Sequence, residues 1–449
     1  MNPLGACLIL LLSLIVYAAP RRIAILGVFA SVCYITQGLT VNVGGFNLYS
    51  QRIILLAGFI RILRSGELGR LKLNKIDWAF LGWAIFTAFA VEIRTGVWKE
   101  DVGITYNVLL SYFVFRCLIT SLDDIQELLP KLAILIIPLA LCMIYESLTG
   151  TNVFDWMGGH GAIWLRDERY RCIGAFRGPH TAGIFGATLM PLFVWLLFKH
   201  GQRPVAVAGL IAATVITYTS NSSGPLMAYL SGLIGLVFWP LRRNTRQVRW
   251  GIVFALIVLA LVMKAPIWYL LSKISDITGG DGWYRSHLME ECYNHFSDWW
   301  IMGTDNTTDW GATQMPWGGA DLCNLFVSCS VNAGLGGLIL IILVLVRCFS
   351  YLGLALKKAR DSLSQSEGLL WCCACVLFAH LCTLFSVTYW DQLFVTWWGF
   401  LAMVSSVTSE LLERTPATEP VAIVPEPALE GSAPRRSQFE NVENPVMSS

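Results

Sequence analysis

The chain has 449 residues, 55% of them hydrophobic and only 14% charged, with a net charge of +2 and a mean hydropathy of +0.59. Soluble globular proteins carry about 25% charged residues, so this composition excludes a soluble enzyme, while the small net charge identifies no partner. Long unbroken apolar runs, in place of ~10-residue alternation, exclude a transmembrane β-barrel.

In chain order the apolar runs predict spans over 4–19, 23–41, 46–63, 76–93, 103–120, 128–148, 180–199, 204–220, 224–240, 249–265, 326–347, 369–389 and 393–409. Each approaches or exceeds the length needed to cross a ~30 Å hydrocarbon core at 1.5 Å per residue. The first lacks a basic n-region and is followed by Arg21 and Arg22. It reads as a retained anchor with its N-terminus outside, rather than a cleaved signal peptide. Alternate short loops are basic: Arg64, Arg70, Lys72 and Lys75; Lys199 and Arg203; Arg242, Arg243, Arg246 and Arg249; Lys357, Lys358 and Arg360. The positive-inside rule puts these in the cytoplasm and the two long loops, 149–179 and 266–325, on the exoplasmic face. Residues 411–449 hold Pro416, Pro420, Pro425, Pro427, Pro434 and Pro445 among Glu, Ala and Ser, and read as a disordered cytoplasmic tail. The expected fold is all-α: a polytopic transmembrane bundle of about 12–13 spans over 1–410, followed by that tail.

Most cysteines fall inside apolar runs, where a thiol behaves as a small hydrophobe. Cys172, Cys292 and Cys323 fall in the loops and are candidates for a disulfide, and no spacing resembles a zinc site.

The first long loop breaks the charge rule, with Arg166, Arg169, Arg171 and Arg177 on the outer side. Arg171 and Arg177 flank Cys172-Ile173-Gly174-Ala175-Phe176, and Gly178-Pro179-His180 leads directly into a span. Guanidinium binds phosphate through paired, planar hydrogen bonds and stays charged, and a helix start also favours an anion. The reading is an anion site at the membrane surface; the plainer alternative pairs these arginines with Asp167, Glu168 or lipid headgroups.

The second long loop carries Arg285, His287, Glu290, Glu291 and His295. On a helix, His287, Glu291 and His295 share one face at four-residue spacing, yet the two histidines stand ~12 Å apart along the axis and cannot share a metal. Trp268, Trp283, Tyr284, Trp299, Trp300, Trp310 and Trp317 read mostly as interfacial aromatics, with sugar stacking as the other use. Asp321, where the loop re-enters the membrane, is either a general base or an N-cap. Glu146, near the outer end of the sixth span, is either a site residue or a snorkelling carboxylate. Asn332-Ala-Gly334-Leu-Gly336-Gly337 would let helices approach closely.

Taken in order, Tyr145-Glu-Ser-Leu-Thr-Gly-Thr-Asn152, Arg171-Cys-Ile-Gly-Ala-Phe-Arg-Gly-Pro-His180, Thr219-Ser-Asn-Ser-Ser-Gly-Pro225 and Asn324 with Gly334 and Gly337 form a pattern. Through it the chain resembles the O-antigen ligase and polymerase superfamily of bacterial polytopic membrane proteins, from about the third span to the twelfth. The resemblance implies a polyprenyl-diphosphate-linked glycan donor, a glycan or glycolipid acceptor, and transfer at the periplasmic face of the inner membrane. It implies that Arg171 or Arg177, together with Arg285, grips the diphosphate, with His180 and Asn324 in the same motifs. Asp321, Glu291 or His287 would supply the base. Neither a metal nor a cofactor is required, because guanidinium groups supply the electrostatics, and no nucleic acid is expected as partner. Ligases of this family have histidine just before the closing asparagine; Cys323 stands there in this chain, which leaves ligation and polymerisation both open. The rival readings are a transporter or flippase of lipid-linked saccharide and a scaffold that binds a partner through the aromatic loop.

Overall fold

The computed structural model describes residues 3–36, 40–43, 46–96, 98–158, 165–311, 315, 318–362 and 364–413. The tail expected over 411–449 lies outside these from residue 414 on, as does Trp317. The helices in chain order are α1 (Pro3–Ala18), α2 (Arg21–Tyr34), α3 (Ser50–Ser65), α4 (Lys75–Thr95), α5 (Trp98–Leu118), α6 (Leu122–Thr149), α7 (Pro179–Leu197) and α8 (Arg203–Thr219). There follow α9 (Ser223–Val237), α10 (Thr245–Val262), α11 (Leu270–Thr278), α12 (Gly282–Asn294), α13 (Phe296–Trp299), α14 (Leu325–Ser362), α15 (Ser364–Leu384) and α16 (Asp391–Glu413). Two small antiparallel hairpins, β1–β2 (Thr40–Val43, Phe46–Tyr49) and β3–β4 (Leu165–Arg166, Arg169–Tyr170), are the described strands.

This is an all-α, multi-pass membrane protein. Six of its helices are long and apolar enough to cross a bilayer, and α1, α8 and α9 are shorter apolar helices. Every predicted span falls on a helix, and the boundaries follow local chemistry. Asn74 and Ser121 begin α4 and α6 with capping boxes closed by Asp77 and Asp124. Gly66, Gly96 and Gly150 end α3, α4 and α6 in the left-handed conformation. The second span is shorter than predicted because Thr40, Val41 and Val43 enter β1. Enclosure is greatest for α7, 83% of whose apolar window is buried, between α8, α9 and α15.

The basic loops gather at one end. Arg21 and Arg22 pair with Asp124 at 2.8 and 3.3 Å, Lys199 reaches Gln126, and Arg242 and Arg360 share Glu367. Lys358 donates to the Leu412 carbonyl and Glu410 accepts from the Leu122 amide, which ties these groups together.

The opposite end carries the long loops. The second is a folded cap with its own core of Tyr284, Leu288, Cys292, Trp299, Trp310, Ala320, Val327 and Val331. This corrects the interfacial reading of its aromatics: Trp299 donates to the Cys292 carbonyl at 2.7 Å and Trp310 stacks on His295, whereas Trp283 and Trp300 remain exposed. The cap meets the bundle where α14 breaks, with non-helical Ala333 and Gly334 inside it. The freed carbonyls of Val331 and Asn332 accept from Arg94, which also bonds Met302 and pairs with Asp305 at 2.7 Å. A Cβ on Gly336 would strike Phe86 of α4 at 2.4 Å, so the small residues do serve close helix approach. All thirteen cysteines are free thiols, so the loop disulfide is not formed: Cys172 is buried within the first loop and Cys292 lies in α12.

Candidate functional site

The first long loop is pinned from below. Glu146 of α6 accepts from the backbone N–H groups of Ile173 and Gly174, both at 2.9 Å, and Asn152 donates to the Gly174 carbonyl at 2.8 Å. Glu146 is therefore neither snorkelling nor solvated; it is a buried carboxylate that fixes the segment bearing Arg171. Cys172 adds a backbone bond to Thr219 at 3.0 Å, which locks the segment to the end of α8. Upstream, Asp167 and Glu168 both take positive φ in a two-residue hairpin turn, and Asn221 holds the Arg166 carbonyl at 3.0 Å.

These constraints place Arg166 and Arg171 beside the Ser222–Ser223 turn. The third wall comes from the cap, through Gly280, Asp281 and Arg285. Together the seven residues line an open cleft of about 380 Å³. Arg285 is held by its Nε bond to the Ser386 carbonyl at 3.0 Å. Arg171 reaches Ser222 Oγ at 3.3 Å, while its buried Nε has no hydrogen-bond partner. Burial first, and Arg166 second, hold the Arg171 guanidinium below its ordinary value. Against three guanidiniums the cleft sets one carboxylate, Asp281, which caps α12 through the Tyr284 amide at 3.1 Å. Such a cleft is built for an anion with several acceptor oxygens.

Gly279 and Gly280 take φ of +74° and +102°, and a Cβ on Gly280 would lie 2.2 Å from Ser223 Oγ. This glycine turn was not singled out from the sequence; its signal is three glycines in the four positions 279–282. Gly280→Ala is expected to strain the backbone by about 1–3 kcal/mol and to narrow the cleft, read as weaker binding of a diphosphate probe.

The remaining predicted residues distribute unevenly. His180, in the first turn of α7, faces Trp390 at 5.4 Å and lies within electrostatic reach of Arg171 and Arg285. Arg177 lies apart from the cleft lining, half-exposed over the Trp390 ring and 3.4 Å from Asp391. Arg177→Lys should consequently cost less than tenfold in activity, as for an exposed ion pair and cation–π contact; a loss as deep as that of an Arg171 variant would place Arg177 in the site. Asn324 is fully buried, donates to the Phe385 carbonyl and caps α14 by accepting from Phe326 and Val327. The cap is therefore Asn324 and not Asp321, and Asn324 has no surface with which to touch a diphosphate.

Asp321 lies near Arg285. Burial raises its carboxyl above the ordinary carboxylate value, and Arg285 opposes the rise. Cys323 is pushed up to about 11 by burial, so it stays a neutral thiol. His287 and Glu291 do form the expected helical row, with Glu291 3.8 Å from His287 and 3.5 Å from His295. However, His287 is two residues from Arg285, about 200° around α12, and stacks on Trp283; neither it nor Glu291 lines the cleft. Among the described residues, no group of three or more His, Cys, Asp or Glu side chains is placed to hold a metal.

The connection between α15 and α16 was also passed over in the sequence. Ser386 holds Arg285, Phe385 holds Asn324, Thr388 donates to the Leu322 carbonyl at 2.6 Å, and Gln392 donates to the carbonyls of Ala175 and Ile35. The connection thus holds the cap, and Gln392 in the first turn of α16 joins the first loop to the end of α2. No protein-family model matches the chain, and no curated protein matches it significantly.

Proposed function

We propose that this protein is a membrane glycan transferase that moves a saccharide from a polyprenyl-diphosphate carrier to an acceptor hydroxyl, as an O-antigen or exopolysaccharide ligase or polymerase. The observation that carries the reading is the cleft: Arg166 and Arg171 of the first long loop meet Arg285 of the second in one opening. The motif resemblance supports it, as does the position of the cleft at the end opposite the basic loops, which by the positive-inside rule is the periplasmic face of a bacterial inner membrane.

In this reading the acceptor oxygen attacks the anomeric carbon, the carbon–oxygen bond to phosphate breaks, and the lipid diphosphate departs with the electron pair. Arg171 and Arg285 stabilise the negative charge developing there, an electrostatic task needing no nucleotide or metal. Asp321, which neighbours Arg285 although it does not line the cleft, is assigned as the base that accepts the hydroxyl proton. Because its carboxyl is raised, activity should fall as pH drops through a value above the ordinary carboxylate range. Asp321→Asn should remove that acid limb along with most of the rate; an unchanged limb in the variant would eliminate Asp321 as the base.

The deciding experiment is transfer by purified, reconstituted protein given a polyprenyl-diphosphate oligosaccharide. Release of lipid diphosphate by the wild type but not by Arg171→Ala or Arg285→Ala supports the transferase, and product length separates polymerase from ligase. Passage of intact lipid-linked sugar across the bilayer without transfer would replace it with a flippase.

A further inference from the structure

We infer that the elbow between α9 and α10 is a binding site for anionic phospholipid, and that lipid rather than protein covers α10. None of the residues of α10 is buried, and its main packing is against the short 3₁₀ helix Trp239–Asn244 that precedes it. An 18-residue apolar helix standing off the bundle has its flanks solvated by acyl chains. At its start, Arg243, Arg246 and Arg249 are exposed, and none has a hydrogen-bond or ion-pair partner among the described residues. The arginine between them and the bundle behaves differently: Arg242 lies over the Trp239 ring at 4.0 Å and pairs with Glu367 at 3.0 Å. The elbow therefore has a fixed inner edge and an outer row of three unneutralised guanidiniums. Trp250, 65% exposed, follows directly, at the depth where an indole ring sits among headgroups. Unpaired cations, an interfacial tryptophan and an uncovered apolar helix together match one ligand, a phosphodiester headgroup with its acyl chains lying along α10.

The row is not simply the excess of positive charge expected of a cytoplasmic loop. Arg70, Lys72 and Lys75 form an equally basic loop, but the helix that follows it, α4, packs along α14 and leaves no equivalent uncovered length.

The test titrates phosphatidylglycerol into the intact protein in detergent and counts retained lipid by native mass spectrometry. It compares wild type, an elbow variant (Arg243→Gln, Arg246→Gln, Arg249→Gln) and a control variant (Arg70→Gln, Lys72→Gln, Lys75→Gln). The elbow variant should bind about fivefold more weakly for each arginine removed, on the order of 100-fold in all. The control should bind as wild type, and phosphatidylcholine should be retained by none. Equal loss in both variants, or no loss in the elbow variant, overturns the site. A dimer that persists after delipidation and is broken by polar substitution along α10 also overturns it, because a second copy of the chain would then cover the helix.

Discussion

Replacing Arg171 by lysine is expected to lower saccharide transfer by about 10²–10³-fold, and Arg285→Lys should do the same. Lysine keeps the charge but presents it as a single hydrated point, without the planar fork that meets two oxygens at once. The geometry makes the loss specific. Arg171 uses one terminal nitrogen on Ser222, and its guanidinium lines the cleft; lysine would present a single nitrogen there. Arg285 spends its Nε on Ser386 and also lines the cleft. A glycan-transfer assay with parallel measurement of donor affinity separates two outcomes. A fall confined to the chemical step places these groups at the leaving diphosphate; a fall confined to affinity makes them anchors only. Full activity in both lysine variants would remove the cleft from the mechanism. A related result concerns a residue that never touches the ligand. Glu146→Gln would set an amide NH₂ against one of the two backbone N–H groups that the carboxylate now accepts. The loop should loosen, and diphosphate affinity should fall without change in the residues of the cleft itself.

The largest effect on stability is expected from Asp77→Ala, about 3–5 kcal/mol, read as a lower unfolding temperature in detergent. Asp77 lies buried at the basic-loop end of α4, where it receives Arg116 at 3.1 Å, Tyr112 at 2.7 Å and Ser405 at 2.7 Å, and closes the cap with Asn74 at 2.8 Å. Removing the carboxylate strands the Arg116 guanidinium, only 6% exposed, with the Lys72 carbonyl and the Ser406 hydroxyl as its remaining partners. Joint replacement of Asp77 and Arg116 by apolar residues of similar volume should recover most of the loss, because the cost lies in the unpaired charge rather than in the missing bond. Failure of the double variant to recover would show that Tyr112 and Ser405 depend on the carboxylate more than the arginine does.

Hydropathy made the helices legible, because a span must be long and apolar whatever it packs against. It did not reveal how the spans pair. Asp77 and Arg116 lie inside predicted spans, and a buried pair is invisible until two helices are brought together. The arginines of the first loop stood out because they violate a charge rule, and the structure does bring Arg171 and Arg285 into one cleft. Arg177 violates the same rule and yet belongs to Asp391, a residue 214 positions away. His287 and Glu291 were selected by spacing, which fixes a shared face but not the direction in which that face points. Asn324 was selected by motif position, and its role is a helix cap set by backbone geometry. The segment 385–390 carries neither charge nor long periodicity, so nothing in its composition announces that Arg285, Asn324 and Leu322 are held by it.

The break at Ala333–Gly334 also gives the molecule a measure of the bilayer. From Leu335 to Leu356 the lower part of α14 rises about 33 Å, close to the ~30 Å thickness of a hydrocarbon core. Arg347 is the one charge within that length; the charges cluster from Lys357 and Lys358 on, and Lys358 ties that end to α16. Arg94, which fills the break, therefore sits at the opposite water boundary, and Leu325–Asn332 stands above it as a plug rather than as part of a crossing. On the proposed function, the arginine cleft, whose cap is bonded to this same plug, would lie near that boundary, within reach of a lipid-borne diphosphate.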